Sequence, residues 1–502
     1  MTFGYREAAM TDRLSSSDGA ILLGIFIFPV MVLFVSILLM NNGVLIYTLD
    51  DPYIHMKMAR NIMSGHYGIN LGENAAPSSS IIWPFLLAPF SVLGKGFFYV
   101  PLVLNVIFSW MTVRLLFQLL SSVAPGYKAI IICGWCLSTN VYGAIFNGME
   151  HSLQVYLTTL IACEVVRREF LGATKVSSVF YLAAFVLPLV RYEGAAVSLP
   201  ALAYLWVNGE RKKSLACGVM ILLAVASFSL FLKELGLGLL PSSVLSKSDI
   251  SDFSSLAVHA LNQCKMYGWV IVVVIVFCCF FSSRKSLVML LLGVTLLHTL
   301  LGKSGWYGRY ELYWLSFIGV FFIAACVRCL TDKWVAILFG FIPLAFSELA
   351  YVTFSTPWAS ANIYNQQYRM SMIAARLDEP LAINDLGLVS LMTDQYVLDL
   401  AGLGSYEALR LSRTQPNALW VGELMKRQGV KYAFIYDEWF SGLPDYFIKV
   451  AVLKLAIPNI SAAQDSVSLY AVDALSAKKL KGVLVDFRTR NPSDQFEIDY
   501  VQ

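Results

Sequence analysis

From Ile21 to about Phe354 the chain is a succession of long apolar runs separated by short polar breaks. Ile21 to Met40 is twenty uncharged residues, close to the ~20 that cross a ~30 Å hydrocarbon core. It follows Arg6 and Arg13 and lacks a small-residue cleavage site, so it reads as an anchor and not a removed leader. Basic residues near segment ends mark the cytoplasmic side: Arg6/Arg13, Arg167/Arg168, Arg211/Lys212/Lys213, Arg284/Lys285 and Arg328/Lys333. With the N-terminus inside, 42–79 faces out, 129–146 and 152–166 form a hairpin with Asn147 to His151 outside, and 176–190 with 194–209 form another around Arg191 to Glu193. The runs 214–235, 266–283, 286–302, 312–327 and 334–353 continue the weave, leaving 236–265 and Lys303 to Glu311 outside. Parity allows one crossing where 80–93 and 97–120 offer two, so the first is assigned partly to the interface, which gives about eleven crossings.

Beyond Phe354 the pattern changes. Leu381 to Asn384, Tyr396 to Leu400 and Tyr432 to Tyr436 are short β-prone runs, Ala418 to Gln428 has helical apolar spacing, and Asn384-Asp-Leu-Gly387 and Ala401-Gly402 read as turns. Composition sharpens the division. The chain is 502 residues, 58% hydrophobic and 14% charged, with mean hydropathy +0.66, where soluble domains carry about a quarter charged residues. Ser355 to Gln502 holds 30 Asp, Glu, Lys and Arg in 148 residues, against 40 in the first 354. The expectation is a polytopic α-helical membrane module over 1–354 and an extracytoplasmic (periplasmic) α/β domain over 355–502.

A net charge of +4 without a basic run argues against nucleic acid as a partner. The nine cysteines lie between Cys133 and Cys329, mostly in apolar runs, and read as buried thiols; the lone Cys133/Cys136 CxxC lacks a second pair for a metal site. His259 and His298 are isolated and lack ligand spacing, and His66 belongs to a Ser64–Gly68 turn.

Ionisable groups are costly near lipid and usually line a cavity or pathway. Outside the cytoplasmic markers they sit at the outward ends of segments: Asp50, Asp51, His55, Lys57, Arg60, Glu150, His151, Arg191, Glu193, Lys247, Lys303, Arg309 and Glu311. One outward-facing cavity would collect them. The adjacent carboxylates Asp50 and Asp51 could supply a general base towards an acceptor hydroxyl, could hold a divalent cation, or could be a solvated pair capping the helix that follows Pro52. Lys57 and Arg60 on that helix read as contacts to lipid headgroup phosphates. Arg191 and Glu193 could pair with each other, and Arg309 between tyrosines reads either as a phosphate ligand or as a snorkelling anchor.

The order Asp50-Asp51-Pro52-Tyr53-Ile54-His55, Arg60-Asn61, Ser64-Gly65-His66-Tyr67-Gly68, Pro77-Ser78-Ser79-Ser80 and Trp83 resembles the first outer loop of GT-C glycosyltransferases of the arabinofuranosyltransferase AftB type. Gly148-Met149-Glu150, Arg191-Tyr192-Glu193-Gly194, Pro241 with Lys247, Arg309-Tyr310, Asn384-Asp385-Leu386-Gly387 and Asp399-Leu400-Ala401-Gly402-Leu403 are similar to its later motifs, in the same order. The resemblance spans Leu49 to about Leu403. It implies a GT-C fold in the bacterial inner membrane and an inverting transfer, on the periplasmic side, from a polyprenyl-phosphate sugar such as an arabinofuranose to a glycan or protein hydroxyl. An aspartate of the first outer loop would be the base: Asp51 by analogy with the Asp-Pro-Tyr loop of oligosaccharyltransferases, or Asp50 by analogy with GT-C enzymes whose base comes first in an acidic pair. Lys247, Arg309 and Arg191 would face the donor phosphate, and His55, Glu150, His151, Glu193 and Tyr310 the sugar or acceptor. Tyr192 stands where a proline is more usual, and Ser80 where a Gly-Ser-Thr pattern is often seen, so the acceptor could differ from that of the mycobacterial enzymes.

Two other classes compete. A lipid-linked sugar transporter or flippase would place polar residues near the bilayer midplane in two repeated halves, and no inverted repeat is visible. A membrane scaffold binding a partner through its tail would leave the outward carboxylates and cations without a role.

Overall fold

The computed structural model describes residues 16–247, 253–415 and 417–501. Arg6 and Arg13 lie outside the described residues, and so does the side chain of Lys247. Five helices among those described are long and apolar enough to cross a membrane: Gly19–Met40, Trp83–Leu119, Arg211–Glu234, Ser254–Phe280 and Leu312–Cys329. Asp332–Ala345 and Ser347–Leu377, bent by 73°, add a sixth if taken as one span. The expected eleven or so crossings exceed these six, and the difference falls on helices that are short or polar. Pro125–Ser138, Ser178–Val190 and Ala195–Val207 have 14, 13 and 13 residues. His151–Leu171 is long enough but buries His151, Gln154 and Thr158 inside the bundle, which lowers its hydropathy. The stretch assigned to the interface is irregular: a 3-10 segment, Ala88–Tyr99, breaks at Gly94 and then leads into the helix Val100–Leu119.

The tail is an α/β unit on one six-stranded sheet: β1 (Leu381–Ile383), β2 (Val397–Asp399), β3 (Tyr432–Ile435), β4 (Ile448–Leu455), β5 (Ser466–Ala471) and β6 (Phe496–Tyr500). The order is β2-β1-β3-β5-β4-β6, with β2, β1 and β3 parallel and the remainder antiparallel. The three parallel strands are fully buried and apolar except for Asp399 at the end of β2, as strands covered on both faces should be. The helix Ser347–Ile363 runs on through a π turn, Tyr364–Tyr368, into Arg369–Leu377, so one helical rod joins the bundle to the sheet.

A second junction matters more for the site. The helix Asp51–Met63 packs along the six-residue helix Gly387–Met392, which follows β1. Asp50 accepts from the Gly387 and Leu388 N–H groups at one end, at 2.5 and 2.8 Å. At the other, Arg60 donates to the Leu391 carbonyl (3.1 Å) and Lys57 to that of Thr393 (3.4 Å). Acid at the N-terminus and base at the C-terminus complement the helix dipole. Lys57 and Arg60, read from the sequence as headgroup contacts, each donate to a carbonyl at the end of this tail helix. Gly387 is required by the close approach, because a Cβ there would sit 2.0 Å from the Asp50 carbonyl oxygen.

Candidate active site

Pro52 in the first turn presets the backbone of Asp51–Met63, and the Asp50 side chain makes no cap bond to that helix because it caps the neighbouring one. Asp50 and Asp51 consequently point to different partners. Asp51 Oδ2 accepts from Arg309 Nη1 at 2.7 Å, with Arg309 only 2% exposed. That burial rules out the snorkelling reading of Arg309. The same guanidinium donates to Tyr310 Oη at 3.0 Å and lies 4.8 Å from the Tyr310 ring centroid.

A second charged network lies behind Tyr310. Arg191 sits 5.3 Å from the same ring and donates to Glu150 Oε1 (2.7 Å), Glu193 Oε1 (3.1 Å) and Ser79 Oγ (3.3 Å). Arg191 and Glu193 do pair, but Glu150 is the closer partner. Glu150 Oε2 lies 3.6 Å from His55 Nε2, and His55 Nδ1 is bonded to Ser78 Oγ at 3.1 Å. His55 stands one turn after Asp51, so a single helix presents both. Gly148, with φ +67°, lets the Asn147–Glu150 loop lie against Tyr47 and Pro52 where any side chain would clash, and this seats Glu150 beneath His55. His151 is buried with its ring 6.3 Å from Tyr310, and neither ring nitrogen has a hydrogen-bond partner among the described residues. Against the upward push of burial, Arg191 holds the Glu193 carboxyl below the usual range.

Asp50, Asp51, Lys303, Arg309 and Tyr310 line a cavity of about 750 Å³ whose other wall comes from the tail: Asn384, Asp385, Leu386, Ala401, Leu403 and Trp439, with Gln367 from the connecting rod. This wall is the carboxyl edge of β1, β2 and β3, where open sheets with parallel strands bind ligands. Asp385 Oδ2 accepts from Gln367 Nε2 (2.7 Å) and Tyr436 Oη (2.5 Å). Burial, then the Asp385 and Asp51 charges, push Asp50 above the usual carboxylate range; burial likewise raises Asp385, opposed by its Tyr436 and Gln367 bonds. Asp399 shapes the rim by accepting from the Ala401 and Gly404 N–H groups, and burial lifts it to about 7.

The segment before Arg309 is strained. Trp306 and Tyr307 have φ of +46° and +63°, a left-handed turn that costs about 1–2 kcal/mol per ordinary residue. Glu311 holds it, accepting from the Gly305 N–H (3.1 Å) and Tyr267 Oη (2.6 Å), and burial pushes Glu311 up to about 7. The arrangement offers a carboxylate and cations facing a partly buried cavity. The two adjacent carboxylates are turned to separate partners, and among the described residues no group of three or more His, Cys, Asp or Glu is placed to hold a metal ion.

The structure thus gathers Asp50, Asp51, His55, Glu150, His151, Arg191, Glu193, Arg309 and Tyr310 in one region. Lys247 closes the short helix Ser242–Lys247, its side chain outside the described residues. His259, expected to be isolated, donates from Nε2 to the Gly302 carbonyl (2.7 Å) and lines the cavity; His298 is bonded to Tyr313 and stacked on Trp314. Sequence reasoning did not single out Asp385, Gln367, Trp306 or Trp439 as site residues. A usable signal for Gln367 was the run Asn362, Asn365, Gln366, Gln367 in an otherwise apolar helix.

A family described as a domain of unknown function (DUF8728) matches residues 361–470, a segment that begins in the connecting rod and contains Gln367, Asp385, Asp399 and Trp439. No curated protein matches the chain. Among solved structures, the chain is similar to arabinofuranosyltransferase AftD from mycobacteria, at 14% identity and a TM-score of 0.42, over 94% of this chain and 41% of that one. The chain therefore spans less than half the length of that structure.

Proposed function

We propose that the chain is an integral-membrane glycosyltransferase that moves a sugar from a polyprenyl-phosphate donor to an acceptor hydroxyl, with inversion, on the periplasmic side of the bacterial inner membrane. Residues 1–354 form the transmembrane catalytic module and 355–502 the extracytoplasmic domain. The observation that carries the reading is the meeting of Asp51 with Arg309 on the wall of the 750 Å³ cavity. The ordered motifs of the AftB type support it and point to a pentofuranose such as arabinofuranose.

Asp51 is the base and Asp50 the brace, because both Asp50 oxygens accept backbone N–H groups. The donor phosphate draws Arg309 away from Asp51, with Lys303 adding a second cation on the same cavity wall. Asp51, released from the guanidinium, takes the proton of the acceptor hydroxyl. The acceptor oxygen bonds to the anomeric carbon as its bond to the phosphate oxygen breaks, and the leaving charge stays on the lipid phosphate, beside preorganised cations. Arg191 holds Glu150 and Glu193, and this network with His55 and His151 orients hydroxyls behind Tyr310.

The test is reconstitution in proteoliposomes with a radiolabelled polyprenyl-phosphate pentofuranose and a soluble oligosaccharide. The expected result is labelled oligosaccharide with stoichiometric polyprenyl phosphate, and no product when a nucleotide sugar replaces the lipid. Label that crosses the bilayer without forming a glycosidic bond would establish the transporter instead.

A further inference from the structure

The cavity wall supplied by the tail carries hydrogen-bonding groups that no described residue uses. Asn384 is 4% exposed and its Nδ2 has no partner among the described residues, although its Oδ1 accepts from the Tyr436 N–H at 2.8 Å. Gln367 is fully buried, and its Oε1 has no partner among the described residues while its Nε2 donates to Asp385, Gln366 and Tyr436. An unpaired buried donor or acceptor costs about 1–3 kcal/mol, so two on one cavity wall are costs that a ligand would relieve. Trp439 lines the same cavity with 46% of its surface exposed. It stands at the end of the turn Asp437–Trp439 and is braced edge-on by Tyr436, ring centroids 5.2 Å apart at 70°.

An amide donor, an amide acceptor and a carboxylate beside a flat exposed indole match the surface of a sugar ring. Its hydroxyls donate and accept, and its C–H face packs on an aromatic plane. A lipid tail would leave both amides unpaired, and a phosphate would meet the Asp385 carboxylate. We infer that this wall is a saccharide subsite, with Trp439 as its platform and Asn384, Gln367 and Asp385 as its hydrogen-bonding set. Resting on the transferase reading above, it holds the acceptor, which makes the acceptor a glycan and not a protein. The volume lies within the ~300–1,000 Å³ usual for small-molecule sites.

The full chain in lipid nanodiscs is titrated, without donor, with an α-linked arabinofuranose pentasaccharide, and binding is read by saturation-transfer NMR. A hydroxyl-rich Ser/Thr peptide is the competing probe. The pentasaccharide is expected to bind, Trp439→Ala to weaken it about ten-fold, and Trp439→Phe to restore most of the loss. The aromatic variant keeps the test decisive should the alanine variant fail to fold. Absence of binding to the wild type, equal binding by Trp439→Ala, or displacement of the sugar by the peptide would overturn the subsite. Donor consumption by the wild type is scored separately. Trp439-dependent binding without turnover of any lipid donor sinks the transferase reading alone, and turnover without saccharide binding sinks the subsite alone.

Discussion

Gly387→Ala tests the junction on which the site depends. The new Cβ would lie 2.0 Å from the Asp50 carbonyl oxygen and 2.7 Å from its Cγ and Oδ2. Non-bonded carbon contacts settle at about 3.5–4.0 Å, so the helix Gly387–Met392 must retreat from Asp50. Retreat breaks the bonds from the Gly387 and Leu388 N–H groups, each worth about 1–3 kcal/mol when the N–H is left buried and unpaired. Strain from overpacking adds about 1–3 kcal/mol, and the better helix propensity of alanine returns about 1 kcal/mol. The net loss is at least about 2 kcal/mol, which for a unit of about 150 residues lowers the melting temperature by at least about 4–8 °C. The assay is a thermal melt of the purified chain in detergent followed by tryptophan fluorescence. Gly482→Ala is the control, because nothing lies within 4 Å of the Cβ it adds to the helix Ala474–Arg490. It should melt at or slightly above the wild type. A Gly387→Ala protein melting within about 2 °C of the wild type would refute the reasoning, since that shift is about 1 kcal/mol or less.

Glu150→Ala removes the closer of two carboxylates from a guanidinium that is 5% exposed and should cost about 3–5 kcal/mol, read as a large drop in the same melt; a loss below about 1 kcal/mol would mean Glu193 alone suffices. Glu311, ordinarily near 4.5, is lifted to about 7, so the folded state binds an extra proton between those values. Stability should be full at low pH and decline as pH rises towards 7, by about 3 kcal/mol at most. In Glu311→Gln that decline should flatten, and an unchanged slope of melting temperature against pH would contradict the assignment.

The helical body and the first half of the sheet were legible in the sequence because each is a continuous apolar run. The β1 segment Leu-Ala-Ile and the β3 segment Tyr-Ala-Phe-Ile are buried on both faces. In contrast, β4 hides its alternation behind a register shift between Lys449 and Ala451, and β6 is mostly exposed, so neither stood out. The charged half of the site was legible for a simple reason: in so apolar a chain, Asp51, Glu150, Arg191 and Arg309 have few other places to be. Asp385, Gln367 and Trp439 were not, because a polar tail holds many such residues and only the parallel pairing of β1 with β2 and β3 selects these. The carbonyl contacts of Lys57 and Arg60 were not legible, because a cation at a membrane boundary needs an oxygen and sequence does not distinguish a lipid phosphate from a helix carbonyl.

The central claim is that Asp51, not Asp50, takes the acceptor proton, and the most direct test compares Asp51→Asn with Asp50→Asn in the reconstituted transfer assay. Loss of a general base costs about 10²–10⁴-fold in rate. Asp51→Asn should fall by that amount while still binding the donor lipid; Asp50→Asn should lose stability in the melt and retain more turnover per folded molecule. Full transfer by Asp51→Asn, or a loss confined to Asp50→Asn, would contradict the account.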